Sequence, residues 1–423
     1  MVQKTESLPV LGKHYFRRKT CRLCNSLKVD LVLQLTPTPP VDAFVPKDRL
    51  NQPQDVYPLD LFLCQGCGHA QLLDVVDPKL LFGDYIYTTA SSPGLVEHFR
   101  KYAEDVFQFA EPKPNSLVVE IGSNDGTLLN FFKQKNLKVL GIDPAREIAE
   151  EATRKGLTTL PKFFSNQVAK NVREQYGTAT IVCANNVFAH SDELADMADG
   201  VKTLLAPDGI FVFEVSYMLD IIENMIFDFI YHEHLCHHSV KPLKTFLHAH
   251  GMELIEGVRI PAKGGSIRVF AQLSGGSRKI SPVVEELIAF EEKFGLYDLN
   301  QYRRYADQIS NIKNQIVELV GKLQHQGKTF AAYGASATTT VLTYHFNLGN
   351  VLEFIIDDNE SRQGLYSPGF HIPVVSSKTI YEKKPDYIIL LAWRFADMMM
   401  EKHKAFLKNG GHFIVPLPAL RTI

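Results

Sequence analysis

The stretch SLVVEIGSNDGTLLNFFKQK, Ser116 to Lys135, constrains this chain more than any other. Leu117, Val118, Val119 and Ile121 make a short apolar run, the pattern of a strand covered on both faces. Thr127 to Lys135 reads as a helix, and Gly122 and Gly126 lie in the turn between them. A strand with no polar face belongs in a parallel sheet flanked by helices, so this unit predicts a doubly wound α/β fold. Further units agree. KVLGID ends in Asp143, and ATIVCANNVFAH runs through Ile181 to Ala184 into Asn185, Asn186 and His190. GIFVFEVS spans Gly209 to Ser216. Ahead of them, Leu95 to Ala110 places apolar residues at helical spacing.

The turn lacks the GxGxxG of a dinucleotide site. It reads Glu120-x-Gly122-x-Asn124-Asp125-Gly126, with a carboxylate at the strand end. A carboxylate there would repel a pyrophosphate but suits a ligand with a cationic amino-acid end, such as S-adenosylmethionine. Asp143, at the end of the second strand, stands where a carboxylate can accept both ribose hydroxyls. Glu120, Gly122, Asn124, Asp125, Gly126, Asp143 and Asn185 are the expected cofactor residues.

Two cysteine pairs precede this core, Cys21-Arg22-Leu23-Cys24 and Cys64-Gln65-Gly66-Cys67. Each CxxC can present two thiolates to one ion, and four complete a tetrahedral Zn²⁺ shell with no position open for substrate. A structural zinc is expected, with His69 as a less favoured ligand. Gly66 and Gly68 suit the tight turns. After Gly264-Gly265-Ser266 comes a long helical stretch from Pro282 to Gln326, then a second strand–glycine turn–helix unit at KTFAAYGASATTTVLTYHF. Three more short apolar strands indicate a second, smaller α/β domain from about Gly327. Ser336 at its turn could meet a phosphate, and Asp357 and Asp358 end the next strand, a ribose-reading position in principle.

The 423 residues exceed one typical core, and 45% hydrophobic with 22% charged residues is ordinary for a soluble chain. A net charge of −2 gives no reason to expect nucleic-acid or membrane binding. The absence of a signal-like N-terminus points to the cytoplasm. Oligomeric state is unreadable from the sequence.

Zinc knuckles, a Y-x-Y-x-x-x-S segment, Glu-x-Gly-x-Asn-Asp-Gly, YHEH and YGASA occur here in that order, from about Cys21 to Pro418. This order resembles the sugar C-methyltransferase family that acts on nucleotide-linked deoxysugars, including the NDP-hexose 3-C-methyltransferases. The resemblance implies three parts: a zinc-binding domain (1–80), a class I S-adenosylmethionine-binding methyltransferase core (81–265), and a helical connection with a C-terminal α/β domain helping to hold the nucleotide sugar (266–423). It implies that Tyr85 (or Tyr87), His190, Tyr231, Glu233 and His234 surround the sugar. One departure is Thr338, where the family often has lysine after YGA[ST]A; this puts phosphate recognition by that turn in doubt.

Methylating a sugar carbon needs a carbanion equivalent, which a neighbouring ketone supplies as an enolate. The expected substrate is therefore an NDP-linked, by analogy dTDP-linked, 4-keto-6-deoxyhexose methylated beside the ketone, at C3 or less commonly C5. Histidine, with an ordinary pKa near 6.5, suits the base. His234 is the first candidate and Tyr231 its competitor. Glu233 is expected to orient its partner or bind a sugar hydroxyl, and His190 and Tyr85 to serve the enolate or a proton on the opposite face. His190 is also open to a helix-capping role. His232 is expected to point away, and His237 and His238 to lie on a solvated turn. His248 and His250 flank a helix end. Cys183 reads as an inert core thiol, while Cys236 could line the site. Two other classes were weighed: an NAD-dependent nucleotide-sugar oxidoreductase, disfavoured by the missing GxGxxG, and a non-catalytic zinc-bearing binding protein.

Overall fold

The computed structural model describes residues 13–82 and 88–423. Tyr85 and Tyr87 lie outside the described residues. The N-terminal module contains β1 (Tyr15–Arg17), β2 (Val29–Thr38), β3 (Tyr57–Cys64), β4 (Ala70–Leu72) and β5 (Asp74–Val76). β1 and β5 pair as an antiparallel ribbon, while β2, β3 and β4 make an antiparallel sheet. Arg17 joins the two through buried Asp60 and Asp74, both at 2.7 Å.

The four cysteine sulfurs lie within 4.8 Å of one another. Cys21 and Cys67 Sγ are 3.7 Å apart, Cys24 and Cys64 Sγ 3.5 Å. A tetrahedral ion with metal–sulfur bonds of about 2.3 Å needs sulfurs about 3.8 Å apart, so the set fits Zn²⁺. Only one of the two knuckle glycines has the expected left-handed backbone. Gly68 has φ +81°. Gly66 is needed for room instead, since a Cβ there would lie 3.0 Å from that of Ser26. His69 is not a fifth candidate ligand; its ring is buried and stacks on His238 at 5.3 Å.

The central part adds β6 (Leu117–Ile121), β7 (Lys138–Ile142), β8 (Thr159–Leu160), β9 (Ala179–Cys183), β10 (Leu205–Ser216), β11 (Cys236–His237), β12 (Met252–Ile260) and β13 (Ser266–Leu273). All but β11 form a seven-stranded sheet in the order β12-β13-β10-β9-β6-β7-β8. β6 through β10 are parallel neighbours, and β13 runs antiparallel between β10 and β12. The chain turns back between β6 and β9, the switch point where such sheets open a ligand crevice. The expected division at 265 falls inside the β12–β13 hairpin. Residues 266–273 complete the central sheet because β13 finds its partner in β10, from Ser266 opposite Ser216 to Ala271 opposite Phe211.

Two helices, Val283–Phe294 and Leu299–His325, replace the single expected helical stretch. Gly295 ends the first with φ +80°, and Asp298 caps the second through the Asn300 N–H. The C-terminal domain holds β14 (Phe330–Tyr333), β15 (Leu352–Ile356), β16 (Val374–Val375), β17 (Tyr387–Leu390), β18 (His412–Val415) and β19 (Arg421–Thr422). Their order is β16-β15-β14-β17-β18-β19, parallel except for β19. Among the described residues no helix is long and apolar enough to cross a membrane.

One segment, residues 228–239, ties the three parts together. β11 adds itself to the edge of the N-terminal sheet beside β4, with Cys236 opposite Gln71 and His237 opposite Ala70. The expected solvated turn is therefore wrong. His237 and His238 are 1% and 0% exposed. The strand is two residues long and its partner lies far away in sequence, so no local pattern announces it.

Cys64→Ser is expected to reduce bound zinc from about one equivalent per chain to a small fraction, measured by plasma mass spectrometry, and to lower the thermal midpoint. Unchanged zinc content would remove Cys64 from the shell.

Candidate active site

The expected cofactor residues lie at the carboxyl end of β6 and in the turn after it. Glu120 is 3% exposed, and its Oε2 has no hydrogen-bond partner among the described residues. Burial, with Asp143 and Asp125 adding repulsion, holds its pKa well above the carboxylate range. Across the switch point, Asn185 follows β9, and neither amide atom of its buried side chain finds a partner among the described residues. Buried polar atoms of this kind need hydrogen bonds. Both lie at the carboxyl ends of neighbouring parallel strands, β6 and β9, and such partnerless polar atoms suit a polar, cationic ligand such as the amino-acid end of S-adenosylmethionine. Gly122 cannot be replaced without strain. Its φ is +69°, and a Cβ would lie 2.2 Å from Val187 Cγ2.

Asp143 lies at the expected place, and its carboxylate holds the turn together. Oδ2 accepts from the Asn124 N–H at 2.8 Å and Oδ1 from that of Ala145 at 2.9 Å. Asn124 and Asp125 reach away from the crevice floor. Asn124 Oδ1 accepts from the Thr89 N–H at 2.9 Å, and Asp125 Oδ2 from the Ala90 N–H at 2.8 Å. These two side chains thus anchor the loop that enters the helix Pro93–Ala110 over the glycine turn.

Three of the residues expected around the sugar, His190, Tyr231 and His234, lie together. His234 Nδ1 is 2.7 Å from the Phe229 carbonyl. A carbonyl can only accept, so Nδ1 carries the hydrogen and Nε2 of the neutral ring carries the lone pair. The ring packs against Tyr231 with centroids 4.1 Å apart and against His190 at 5.2 Å. On its other side His190 stacks on Phe82 at 5.7 Å. His190 does not cap the next helix, which begins at Leu194 with Glu193 as its N-cap. Burial pushes the His234 pKa down to about 4 and that of His190 well below the ordinary imidazole value. Burial also raises Glu233 to about 8, with Asp42 contributing. Glu233 is not the orienting partner of His234; the Phe229 carbonyl has that place. His232 turns toward the N-terminal module, its Nε2 3.2 Å from the Tyr57 carbonyl.

Several expected bystanders are placed. Cys183 is buried in β9 and its thiol pKa is raised, chiefly by burial. Cys236 is pushed up to about 12 by burial and sits in β11 beside the zinc module. His250 pairs with Asp199 at 2.8 Å. In the C-terminal turn Thr338 is buried and its hydroxyl meets that of Ser336 at 3.0 Å. Asp357 accepts from the Ala335 and Asn359 N–H groups, so it stabilises the turn in the manner of Asp143.

Sequence reasoning missed Lys263. It sits in the turn between β12 and β13 with a left-handed φ of +56°, followed by Gly264 and Gly265 at +89° and +144°. Its side chain is accessible, yet surrounding protein lowers the ammonium pKa, and its charge is felt at His190, His234 and Glu233. The Gly-Gly pair behind it was the available signal. His98 and Glu214 were also missed. They pair at 2.7 Å, and Arg268 holds the other oxygen of Glu214 at 3.1 Å.

Comparison with known proteins accords with this geometry. Three family models match in chain order: "Putative zinc binding domain" over residues 21–82, "Methyltransferase domain" over 95–256 and "C-methyltransferase C-terminal domain" over 261–418. C-methyltransferase NovU of Streptomyces niveus is 35% identical over 371 residues, 88% of each chain. Among solved structures, magnesium protoporphyrin IX methyltransferase (ChlM) from Synechocystis PCC 6803 overlaps 43% of this chain and 85% of its own, with 16% identity and a TM-score of 0.33. The PH0226 protein from Pyrococcus horikoshii OT3 overlaps 44% and 95%, with 10% identity and a TM-score of 0.37. At such scores the likeness is only partial. The NovU match along most of both chains and the ordered domain matches together establish that the chain belongs to the S-adenosylmethionine-dependent C-methyltransferases that carry an N-terminal zinc-binding domain and a C-terminal C-methyltransferase domain.

Proposed function

We propose that the chain methylates a ring carbon beside the ketone, at C3, of an NDP-linked 4-keto-6-deoxyhexose, with dTDP as the carrier, through an enolate. The observation that carries this reading is the state of His234: a neutral imidazole whose Nδ1 hydrogen is fixed by Phe229, so that Nε2 is the basic atom. Glu120, Gly122, Asp143 and Asn185 would hold S-adenosylmethionine, which would supply an electrophilic methyl group to the enolate carbon as its S–CH3 bond breaks and S-adenosylhomocysteine leaves. The chain's own residues then have three tasks. His234 takes the proton beside the ketone. The electron pair moves onto the ketone oxygen, where a positioned donor contributes about 3 kcal/mol. Burial keeps the neighbouring imidazoles unprotonated, with Lys263 contributing, and Lys263 adds positive charge near that oxygen. Glu233, with its raised pKa, is partly protonated near neutral pH and can donate to a sugar hydroxyl. Tyr231 and His190 flank the base on its two sides and complete the cleft. The C-terminal domain helps to hold the nucleotide.

Incubating the enzyme and S-adenosylmethionine with a panel of NDP-4-keto-6-deoxysugars is expected to yield a product heavier by one methylene, with NMR placing the methyl at C3. A methyl found on oxygen would overturn the enolate route. His234→Asn is expected to slow methyl transfer by about 10²- to 10⁴-fold while S-adenosylhomocysteine binding, measured by calorimetry, stays unchanged.

Gly122→Ala is expected to weaken S-adenosylhomocysteine binding at least about tenfold, because a Cβ must displace both Val187 and the left-handed backbone. Equal affinity in the variant would remove this turn from the cofactor site.

The pH dependence follows from the depressed histidine. The neutral ring is the active form, and a folded-state pKa of about 4 keeps it neutral well below 6.5. The acid limb of kcat/KM is therefore expected near pH 4, not near the ordinary imidazole value. A limb between about pH 6 and 7 would mean a solvated base.

A further inference from the structure

The base is built partly by the C-terminal domain. β17 ends at Leu390, and the turn Trp393–Phe395 follows at the carboxyl edge of that sheet. From this turn Arg394 Nη1 reaches Asp228 Oδ2 at 3.0 Å and Oδ1 at 3.3 Å, while Trp393 Nε1 donates to Oδ2 at 3.1 Å. Asp228 is wholly buried. The guanidinium also lies over the Phe229 ring, 4.7 Å from its centroid. Phe229 supplies the carbonyl that accepts the His234 Nδ1 hydrogen. Arg394 thus holds residues 228 and 229 from two sides, by charge and by stacking. It also abuts the Lys263 turn, since a Cβ on Gly264 would lie 3.2 Å from Arg394 Cδ.

We propose that Arg394, through Asp228 and Phe229, is a positioning residue that sets the tautomer and direction of the His234 base. If the guanidinium is lost, Asp228 keeps the Trp393 N–H and the 229–230 peptide keeps its Ile230 N–H bond to the Phe227 carbonyl, but Asp228 loses its countercharge and the Phe229 ring its stacking partner. With that hold loosened, the Phe229 carbonyl shifts from Nδ1, the hydrogen moves in part to Nε2, and the lone pair turns away from the substrate. No bond to Arg394 forms or breaks in the reaction. The inference rests on His234 being the base, as proposed above.

The test uses Arg394→Gln, Arg394→Lys and Asp228→Asn in the full-length enzyme. Long-range ¹H–¹⁵N spectra of histidine-labelled protein, without substrate, report which nitrogen of His234 is protonated; the His234→Asn spectrum assigns the signal. Wild type is expected to show hydrogen on Nδ1, and Arg394→Gln a mixture of tautomers or hydrogen on Nε2. Arg394→Lys, which keeps the charge, is expected to retain more of the wild-type pattern and covers the case in which Arg394→Gln does not fold. With the acceptor found in the panel, kcat is expected to fall about 100-fold in Arg394→Gln with KM for S-adenosylmethionine unchanged. An unchanged tautomer pattern in all three variants would overturn the proposal. Because that spectrum needs no substrate, it decides the positioning role even if the panel yields no methylated sugar.

Discussion

The structure turns on the burial of residues 228–239 between three domains. Asp228 is held by Trp393 and Arg394 of the C-terminal domain. His232 bonds the Tyr57 carbonyl of the N-terminal module, and β11 extends that module's sheet. His238 bonds the Phe188 carbonyl of the central core at 3.1 Å. Removing one partner from a buried ion pair costs about 3–5 kcal/mol, so these contacts are strong constraints. His234 sits in the middle of the segment. Its desolvation, and hence its neutral state, is a product of the domain arrangement rather than of its neighbours in sequence.

The zinc site acts at a distance on the same segment. Arg22, inside the first knuckle and 3% exposed, bonds the Leu72 carbonyl, lies 3.4 Å from the Leu235 carbonyl and pairs with Asp192 at 2.9 Å. Leu235 directly follows His234. Four thiolates on one ion fix both knuckles, and the arginine between two of them braces the far side of the base. A metal bound there would brace this segment without touching it, which fits a closed shell with no open coordination position.

The two glycine turns use one solution twice. In each, a carboxylate ending the second strand accepts backbone N–H groups of the first turn: Asp143 from Asn124, and Asp357 from Ala335. In the central domain Glu120 and Asn185 remain with buried polar atoms turned to the crevice. In the C-terminal domain the Ser336, Thr338 and Thr339 hydroxyls satisfy one another. That difference separates a turn that still needs a polar ligand from one already closed on itself.

The sequence by itself determined the features that depend on short spacing. Two thiols three positions apart meet one ion, a glycine after an apolar strand makes the crevice turn, and an acidic residue at that strand's end selects against pyrophosphate. Tyr231, Glu233 and His234 were singled out by the resemblance to the sugar C-methyltransferases. Only the tertiary structure decided which nitrogen of His234 carries the hydrogen, that His190 stacks on it rather than capping a helix, that His237 and His238 are buried, and that Arg394 reaches Asp228. Arg394 and Asp228 are 166 positions apart. A contact of that kind has no periodicity and no local composition, because it exists only once three separate cores have packed.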